Sequence, residues 1–460
     1  MHLAVRASAS DDGLVGRRRR GSHIEGGGNV LPVALPRAFM TASTTDKADA
    51  QRPVLGRDFS RLWWSAAVSS LGDGATIAAA PLLATRLTDD PRLIGAASVA
   101  FTAPFLLFGI PAGLLVDRID IRAMMVRVDI GRAVLLAVLT AGILGGWGGL
   151  PLLYVCMFLL GTGEVLCRNA AQVLVPFITP RAGLSTANAR IMAAQEAGTG
   201  FIGPLVGALM FGVATALPFG VDAATFLCSA VLISRISRTR PVERRPDSTG
   251  VMSEMLAGAK WLFSHHLLRS LALVSCLINL AGSAMLAVLV VHSGKVLGLG
   301  PFGFGALLAC QAVGAVLASR FAPALTERLG REGALVATAV LITTSEAVLA
   351  AVPSMYAAGV ALAIFACGTV TWNVVVVVLR QTLVPQHLLG RANSVYRLVA
   401  WGGLPVGAAA GGFVAAEVGT RAVFGAGAVV MAVVAMGLLV GARRRWITRA
   451  DPAPLPTEAD

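Results

Sequence analysis

Charge is scarce in this 460-residue chain. Asp, Glu, Lys and Arg make up 14 % of it, against a hydrophobic fraction of 56 % and a mean hydropathy of +0.74. A soluble domain carries roughly a quarter charged residues, so a water-exposed fold is excluded for most of the length. Lysine is rarer still, confined to Lys47, Lys260 and Lys295. The six cysteines (Cys156, Cys167, Cys228, Cys276, Cys310, Cys367) lie inside apolar runs without paired spacing, which fits small packing residues and not disulfides or metal ligands. None of the six histidines has a metal-type partner at i+4. No metal or cofactor is expected. The phosphate-binding pattern G-x-x-x-x-G-K-[ST] is missing, which argues against a nucleotide partner and against ATP-driven pumping. Paired His, Asp or Cys motifs in adjacent apolar runs are missing too, so no enzyme is expected.

What the chain has instead is long apolar runs. A membrane span needs roughly 20 mainly apolar residues, and about twelve such stretches can be drawn. They fall near Arg61 to Arg86, Arg92 to Val116, Arg122 to Gly145, Leu150 to Leu174, Ala187 to Val213 and Ala216 to Ile236. The second set falls near His265 to Val291, Gly300 to Ala322, Gly333 to Val352, Met355 to Leu379, Ala392 to Ala416 and Thr420 to Gly441. The fold class predicted is all-α, with twelve transmembrane helices.

The formal charge of +13 does not point to nucleic acid, because its distribution follows the spans. Arginines crowd alternate connections, and the intervening ones carry only Arg86, Arg92, Lys295 and Arg421 of the 38 basic residues. The positive-inside rule then places both termini in the cytoplasm. No soluble segment is long enough to build a basic face interleaved with aromatics. Arginine in such excess over lysine, with much Ala and Gly, suggests a GC-rich bacterial genome, hence a bacterial cell membrane.

Residues 1–58 read as a disordered basic tail with no apolar core for a signal peptide. Met40 precedes a short polar segment of the kind that often leads a first membrane helix, so residues 1–39 are suspected to be an over-extended reading frame. A basic anchor for anionic lipid is the other reading. Two bundles of six helices are expected at 59–237 and 265–441, with a cytoplasmic tail at 442–460. Between the bundles, 238–264 reads as a basic linker followed by an amphipathic helix over Met252, Met255, Leu256, Ala259, Leu262 and Phe263. The two bundles rest on an internal repeat. Gln172 to Pro176, Ala187-Asn188 and Pro204 to Gly207 recur as Gln381 to Pro385, Ala392-Asn393 and Pro405 to Gly407.

Between the second and third runs lies Gly113-Leu-Leu-Val-Asp117-Arg118-Ile-Asp120-Ile-Arg122, a charged turn of a tight hairpin. It resembles the loop between helices 2 and 3 of the major facilitator superfamily. Phe59 to Trp64 with Gly72-Asp73, Gly161 to Pro176, Gly203-Pro204 and Val221 to Phe226 narrow the resemblance to the branch of enterobactin exporters and macrolide efflux pumps. That resemblance implies two pseudo-repeated six-helix bundles with a substrate site between them. It also implies proton-coupled antiport of small amphiphilic molecules such as antibiotics and siderophores. An importer of a small nutrient on the same fold, or a non-transport receptor, are the alternatives. In the fourth helix Cys167-Arg168-Asn169-Ala170 stands where the branch tends to have a proline.

In the charged turn, Gly113 permits close helix approach, Asp117 can accept from a helix N-terminus, and Arg118 and Arg122 can pair with carboxylates or lipid phosphates. Together they would latch the cytoplasmic side shut; fixing topology is the other reading for the two arginines. Glu327-Arg328 is a degenerate copy in the second half. Gly200, Gly203, Pro204 and Gly207 resemble the glycine-proline motif of antiporters.

Carboxylates deep in spans are costly and mark proton or substrate paths. Asp73 and Glu196 are the first choices for proton coupling, because desolvation would bring such groups to titrate near neutrality. Glu164 and Arg168, one helical turn apart, are expected to neutralise each other, with Arg168 alternatively holding an anionic group of the substrate. For Asp222 and Glu346, nearer span ends, and for Asp129 with Arg132, snorkelling or capping suffices, with a proton-coupling or substrate role as the other reading for Asp222 and Glu346. Ser69, Asp73 and Thr76 share a helical face expected to line the cavity. Phe105, Asn279, Trp372, Asn373 and Trp401 are further lining candidates.

Overall fold

The computed structural model describes residues 55–116, 119–180, 183–237, 259–384 and 389–443. Asp117 and Arg118, residues 1–54 with Met40, most of the 238–264 linker, and the tail beyond residue 443 lie outside the described residues.

Apolar runs this long become helices because a membrane-buried backbone must satisfy its own N–H and C=O groups. The order is α1 Gly56–Leu87, α2 Pro91–Val116, α3 Ile121–Leu144, α4 Leu150–Ile178, α5 Leu184–Gln195, a π segment Glu196–Ile202, α6 Gly203–Val213 and α7 Leu217–Ser234. The second half comprises α8 His266–Lys295, α9 Pro301–Ala351, α10 Met355–Leu383, α11 Leu389–Glu417 and α12 Thr420–Arg443. Prolines stand in the first turn of α4, α7 and α9, where a missing N–H costs no intrahelical bond. Asp120 caps α3 by accepting from the Ala123 amide at 3.2 Å.

Ten helical stretches among the described residues are long and apolar enough to span a membrane. One of them, α9, reverses at Gly330 (φ 71°, ψ 170°), a backbone conformation that favours glycine, and so makes two crossings. The eighth span therefore runs past its expected end at Ala322. The α5–π–α6 stack makes one crossing, and α3 adds a further crossing despite Arg127, Asp129 and Arg132. Twelve crossings result.

In the first half α1 packs on α6 and α7, α3 on α4 and α7, and α2 on α4; in the second α8 packs on α11 and α12, and α9 on α10 and α12. The repeat has the same meaning in both halves. A Cβ at Gly207 of α6 would overlap the Ala75 backbone of α1, and one at Gly407 of α11 would overlap the Leu280 backbone of α8. Equivalent glycines press the fifth span onto the first and the eleventh onto the seventh.

The halves meet along two seams, α2 with α11 and α6 with α9. A Cβ on Gly95 would lie 3.2 Å from the Ala408 carbonyl, and one on Gly305 would lie 3.2 Å from Cβ of Ala208. At the same end Arg92 pairs with Glu417, and Lys295 with Asp89 at 3.1 Å. This sealed end carries the connections at 88–90, 296–300 and 418–419.

Candidate functional site

Between the halves lies a cavity of about 360 Å³. Its wall takes Ile77, Ala80 and Pro81 from α1, Phe101 and Thr102 from α2, Glu196 from the π segment, Ser275 and Asn279 from α8, and Thr369, Trp372 and Asn373 from α10. The lining is mostly apolar with a few hydrogen-bonding groups. Glu196 is its one carboxylate, is exposed, and forms no ion pair with a described residue.

The local sequence explains how Glu196 is presented. Pro204 has no N–H to donate back along the helix, and the Gly203 amide reaches the Gly198 carbonyl five residues earlier, the π register. Gly198 and Gly203 then fit against Ser70, Leu71 and Gly74 of α1 with no room for a Cβ. The motif Gly200, Gly203, Pro204, Gly207 thus serves close packing at two glycines, Gly203 and Gly207, and a register change at Pro204. Gly200 meets only the Glu196 carboxyl, 3.3 Å from where its Cβ would stand.

Next to the cavity is a buried charge network. Arg132 of α3 lies 2.5 Å from Asp73, 3.3 Å from Glu164 and 3.8 Å from Asp129. It also covers the Phe226 ring at 4.0 Å. Glu164 bonds Arg168 as expected from their spacing, and Arg168 lies within electrostatic reach of Glu196. Asp129 accepts from Ser229 at 2.6 Å and from the Cys167 thiol at 3.6 Å. Asp73 Oδ2 and Arg132 Nε are buried without a hydrogen-bond partner.

Several expectations are corrected here. Asp129 and Arg132 do not snorkel; each is 2 % exposed, because carboxylates from α1 and α4 reach Arg132 inside the bundle. Asp222 is not a capping residue at a span end but is fully buried, accepting from Thr76 at 2.6 Å and Thr225 at 2.8 Å. Gly72 makes room for it, since a Cβ there would overlap Asp222 Oδ1. Glu346 is likewise buried, packed on Gly427 of α12, with Oε1 unpartnered. The face of α1 bearing Ser69, Asp73 and Thr76 does not line the cavity, because Asp73 turns to Arg132 and Thr76 to Asp222. Ile77, Ala80 and Pro81 line it instead. Asn279, Trp372 and Asn373 are on the wall as expected, whereas Phe105 and Trp401 meet edge-on at 5.6 Å, joining α2 to α11. Arg122 donates to the Ile236 carbonyl at 3.0 Å, within its own half. Gly113 lies on α2, while Asp117 and Arg118 fall outside the described residues.

The residue that sequence reasoning missed is Arg132 as a hub. The signal was present as an arginine and an aspartate three residues apart in a run otherwise apolar enough to span.

The profile of the transmembrane secretion effector family, a branch of the major facilitator superfamily, matches residues 49–453. The chain is 25 % identical over 374 residues to the multidrug efflux pump Tap of Mycolicibacterium fortuitum, covering 78 % of this chain and 90 % of that protein. An uncharacterised MFS-type transporter of Mycobacterium tuberculosis is 27 % identical over 332 residues, covering 67 % and 74 %. Among solved structures, the nucleoside transporter NupG superposes with a TM-score of 0.67 at 11 % identity, over 84 % of this chain and 99 % of that one. A bacterial homologue of the human lysosomal transporter Spinster, inward-facing and occupied, also gives 0.67, at 14 % identity over 86 % and 98 %. With a twelve-crossing fold in two repeated halves, a cavity between them and a family match over most of its length, the chain belongs to the transmembrane secretion effector family of major facilitator transporters.

Proposed function

We propose that this chain is a proton-coupled exporter of small amphiphilic molecules, such as antibiotics, siderophores or other secondary metabolites, in a bacterial plasma membrane. The observation that carries the reading is Glu196, an exposed carboxylate on the wall of a mainly apolar cavity. An apolar wall with a few polar anchors suits an amphiphile. A carboxylate in that wall can hold a proton or a polar group of the substrate, and competition between the two is the essence of exchange.

The charge network supplies a second proton-accepting group. Asp73, Asp129 and Glu164 face two guanidinium groups, those of Arg132 and Arg168, so three acids stand against two bases. A proton on the unpartnered Oδ2 of Asp73 balances the cluster. Arg168, between Glu164 and Glu196, links that site electrostatically to the cavity. The proton gradient is the energy source, with no cofactor.

The arginine-rich connections support an orientation with the Arg92–Glu417 end outside and the cavity reached from the cytoplasm, where an exporter loads. In this state Arg122 bonds Ile236 of its own half, in keeping with a cytoplasmic latch of Gly113, Asp117, Arg118 and Arg122 that engages only when the inner side closes. The multidrug efflux relative supports export over import.

Everted vesicles supplied externally with a panel of fluorescent dyes and antibiotics test this reading. Uptake is expected only with an imposed proton gradient, and Glu196→Gln is expected to abolish the gradient dependence while leaving ligand binding. Gradient-driven uptake that survives both Glu196→Gln and Asp73→Asn would overturn the coupling assignment. Uptake into right-side-out vesicles alone would make the protein an importer.

A further inference from the structure

Most polar side chains of the cavity wall have their protons committed to the protein itself. On α8, Ser275, Asn279 and Ser283 stand one helical turn apart and reach Tyr396, Ala400 and Leu404 of α11 in step. The Asn279 amide donates to the Ala400 carbonyl at 2.8 Å, and the Ser283 hydroxyl to that of Leu404 at 2.7 Å. Trp372 Nε1 donates to Ser275 at 2.7 Å, and Tyr396 donates to the Leu271 carbonyl at 3.2 Å. With the phenol proton taken by a carbonyl, Ser275 is the donor in its 2.5 Å bond with Tyr396. Thr102 of α2 donates to the Ser98 carbonyl at 2.8 Å, and Thr369 of α10 to that of Ala366 at 3.1 Å.

A hydroxyl has one proton but two lone pairs, so a hydroxyl whose proton is committed is left as an acceptor. The same holds for the Asn279 oxygen, since turning that amide over would set oxygen against the Ala400 carbonyl. Asn279 Oδ1, Ser283, Thr102 and Thr369 therefore keep acceptor capacity on a wall that also carries the Glu196 carboxylate. The side-chain donors that remain on it are those of Ser98, Asn373 and the second N–H of Asn279. Among the described residues no lysine, arginine or histidine lines the cavity, and Arg168 behind it is held by Glu164. The wall offers a ligand many acceptors, one carboxylate and no cation.

We propose that the cavity selects amphiphilic amines by the N–H groups of a protonated primary or secondary amine, with Glu196 as counter-ion and Asn279, Ser283 and Thr102 as acceptors. The apolar body of the ligand lies along Phe101, Phe365 and Trp372. This rests on the reading of the cavity as the substrate site and narrows its occupants to organic amines. Acidic amphiphiles are disfavoured, because no cation on the wall meets them. The aromatic rings attract any organic cation, so charge alone does not choose among cations. The acceptors do: a quaternary ammonium has no proton to give them, and on binding it takes water from them without replacing its hydrogen bonds.

Four probes sharing one apolar body test this: 1-naphthylmethylamine, its trimethylammonium counterpart, 1-naphthylmethanol and 1-naphthylacetate. The full chain is placed in phosphatidylcholine nanodiscs at neutral pH without any gradient, and binding is read by equilibrium dialysis against empty nanodiscs. The amine is expected to bind about tenfold more tightly than the trimethylammonium probe, as charge-assisted hydrogen bonds require, and the carboxylate most weakly of the four. The double variant Thr102→Val, Ser283→Ala and, separately, Asn279→Leu are expected to erase that margin. Glu196→Gln is expected to bring both cations down toward the alcohol. Thermal unfolding shows which variants are folded, and the double variant carries the test where Asn279→Leu does not fold. Equal affinity for the two cations, or a margin that survives loss of the acceptors, overturns the proposal and leaves the cavity as the substrate site. Leu286→Trp, which fills the cavity, is expected to abolish binding of the amine and the alcohol alike. Retention of both by that variant overturns the reading of the cavity itself, and the proposal with it.

Discussion

Arg132 and Asp73 are 2.5 Å apart, on α3 and α1, with both side chains 3 % exposed. Two spans are thereby tied by an ion pair out of reach of water, and the same guanidinium also holds Glu164 and Asp129. Removing the cation leaves Asp73 and Asp129 without an ion-pair partner, while Glu164 keeps Arg168. Arg132→Met is expected to cost about 3–5 kcal/mol of stability, the usual penalty for leaving one side of a buried pair. Adding Asp73→Asn to Arg132→Met removes one stranded charge and is expected to recover part of the loss. Thermal unfolding of the purified variants in nanodiscs checks this, and a double variant no more stable than Arg132→Met would contradict it.

Gly207 and Gly407 provide a matched pair of packing tests. In each case an added Cβ would meet backbone of the neighbouring helix, of Ala75 and of Leu280, which cannot rotate away. Alanine at either site is expected to destabilise by about 1–3 kcal/mol, the cost of overpacking. Gly437→Ala has nothing within 4 Å of the new methyl and is expected to gain about 0.5–1 kcal/mol from helix propensity. Unfolding midpoints in one detergent compare all three, and equal shifts for Gly207→Ala and Gly437→Ala would refute the packing account.

Much of the fold was legible because membrane burial writes itself into composition. The apolar runs, the alternation of arginine-rich connections and the recurrence of Gln172 to Pro176 at Gln381 to Pro385 are local signals, and the charged turn from Gly113 to Arg122 carried the superfamily resemblance. The site was legible only in part. Depth within a span identified Asp73, Glu164 and Glu196, but depth does not say which way a side chain turns. Asp73 faces Arg132, not the cavity, because α1 and α4 bring Asp73 and Glu164 to the α3 arginine from positions 59 and 32 residues away. Arg132 was read as snorkelling or capping for the same reason, since Asp73 and Glu164 come to it from other helices. The connection around Gly330 was expected between the eighth and ninth spans, but its charged residues, which read as a loop, sit on helix up to the reversal.

The ion pairs at the sealed end are exposed and are expected to tune an equilibrium without setting it. Arg92 and Glu417 have side chains 40 % and 67 % exposed. Pairs of this kind are worth about 0–1 kcal/mol, so Glu417→Gln is expected to change the ratio of closed to open states by no more than about fivefold. Double electron–electron resonance between labels on the ends of α2 and α11 reads that ratio. The effect should fade in high salt, where exposed pairs are screened. A complete shift to the open state, or one indifferent to salt, would show that the pair does more than this geometry allows.

The sealed end owes its tightness to small residues, with Gly95 against Ala408 and Gly412, and Gly305 against Ala208. A seam of this kind uncovers little apolar area when it parts, unlike one filled by leucines. In an alternating-access cycle the cost of parting this seam is expected to be small, so that a ligand with a modest preference for one state redistributes the population. Helix backbones meeting at glycine thus form a seam that is suited to opening at low cost.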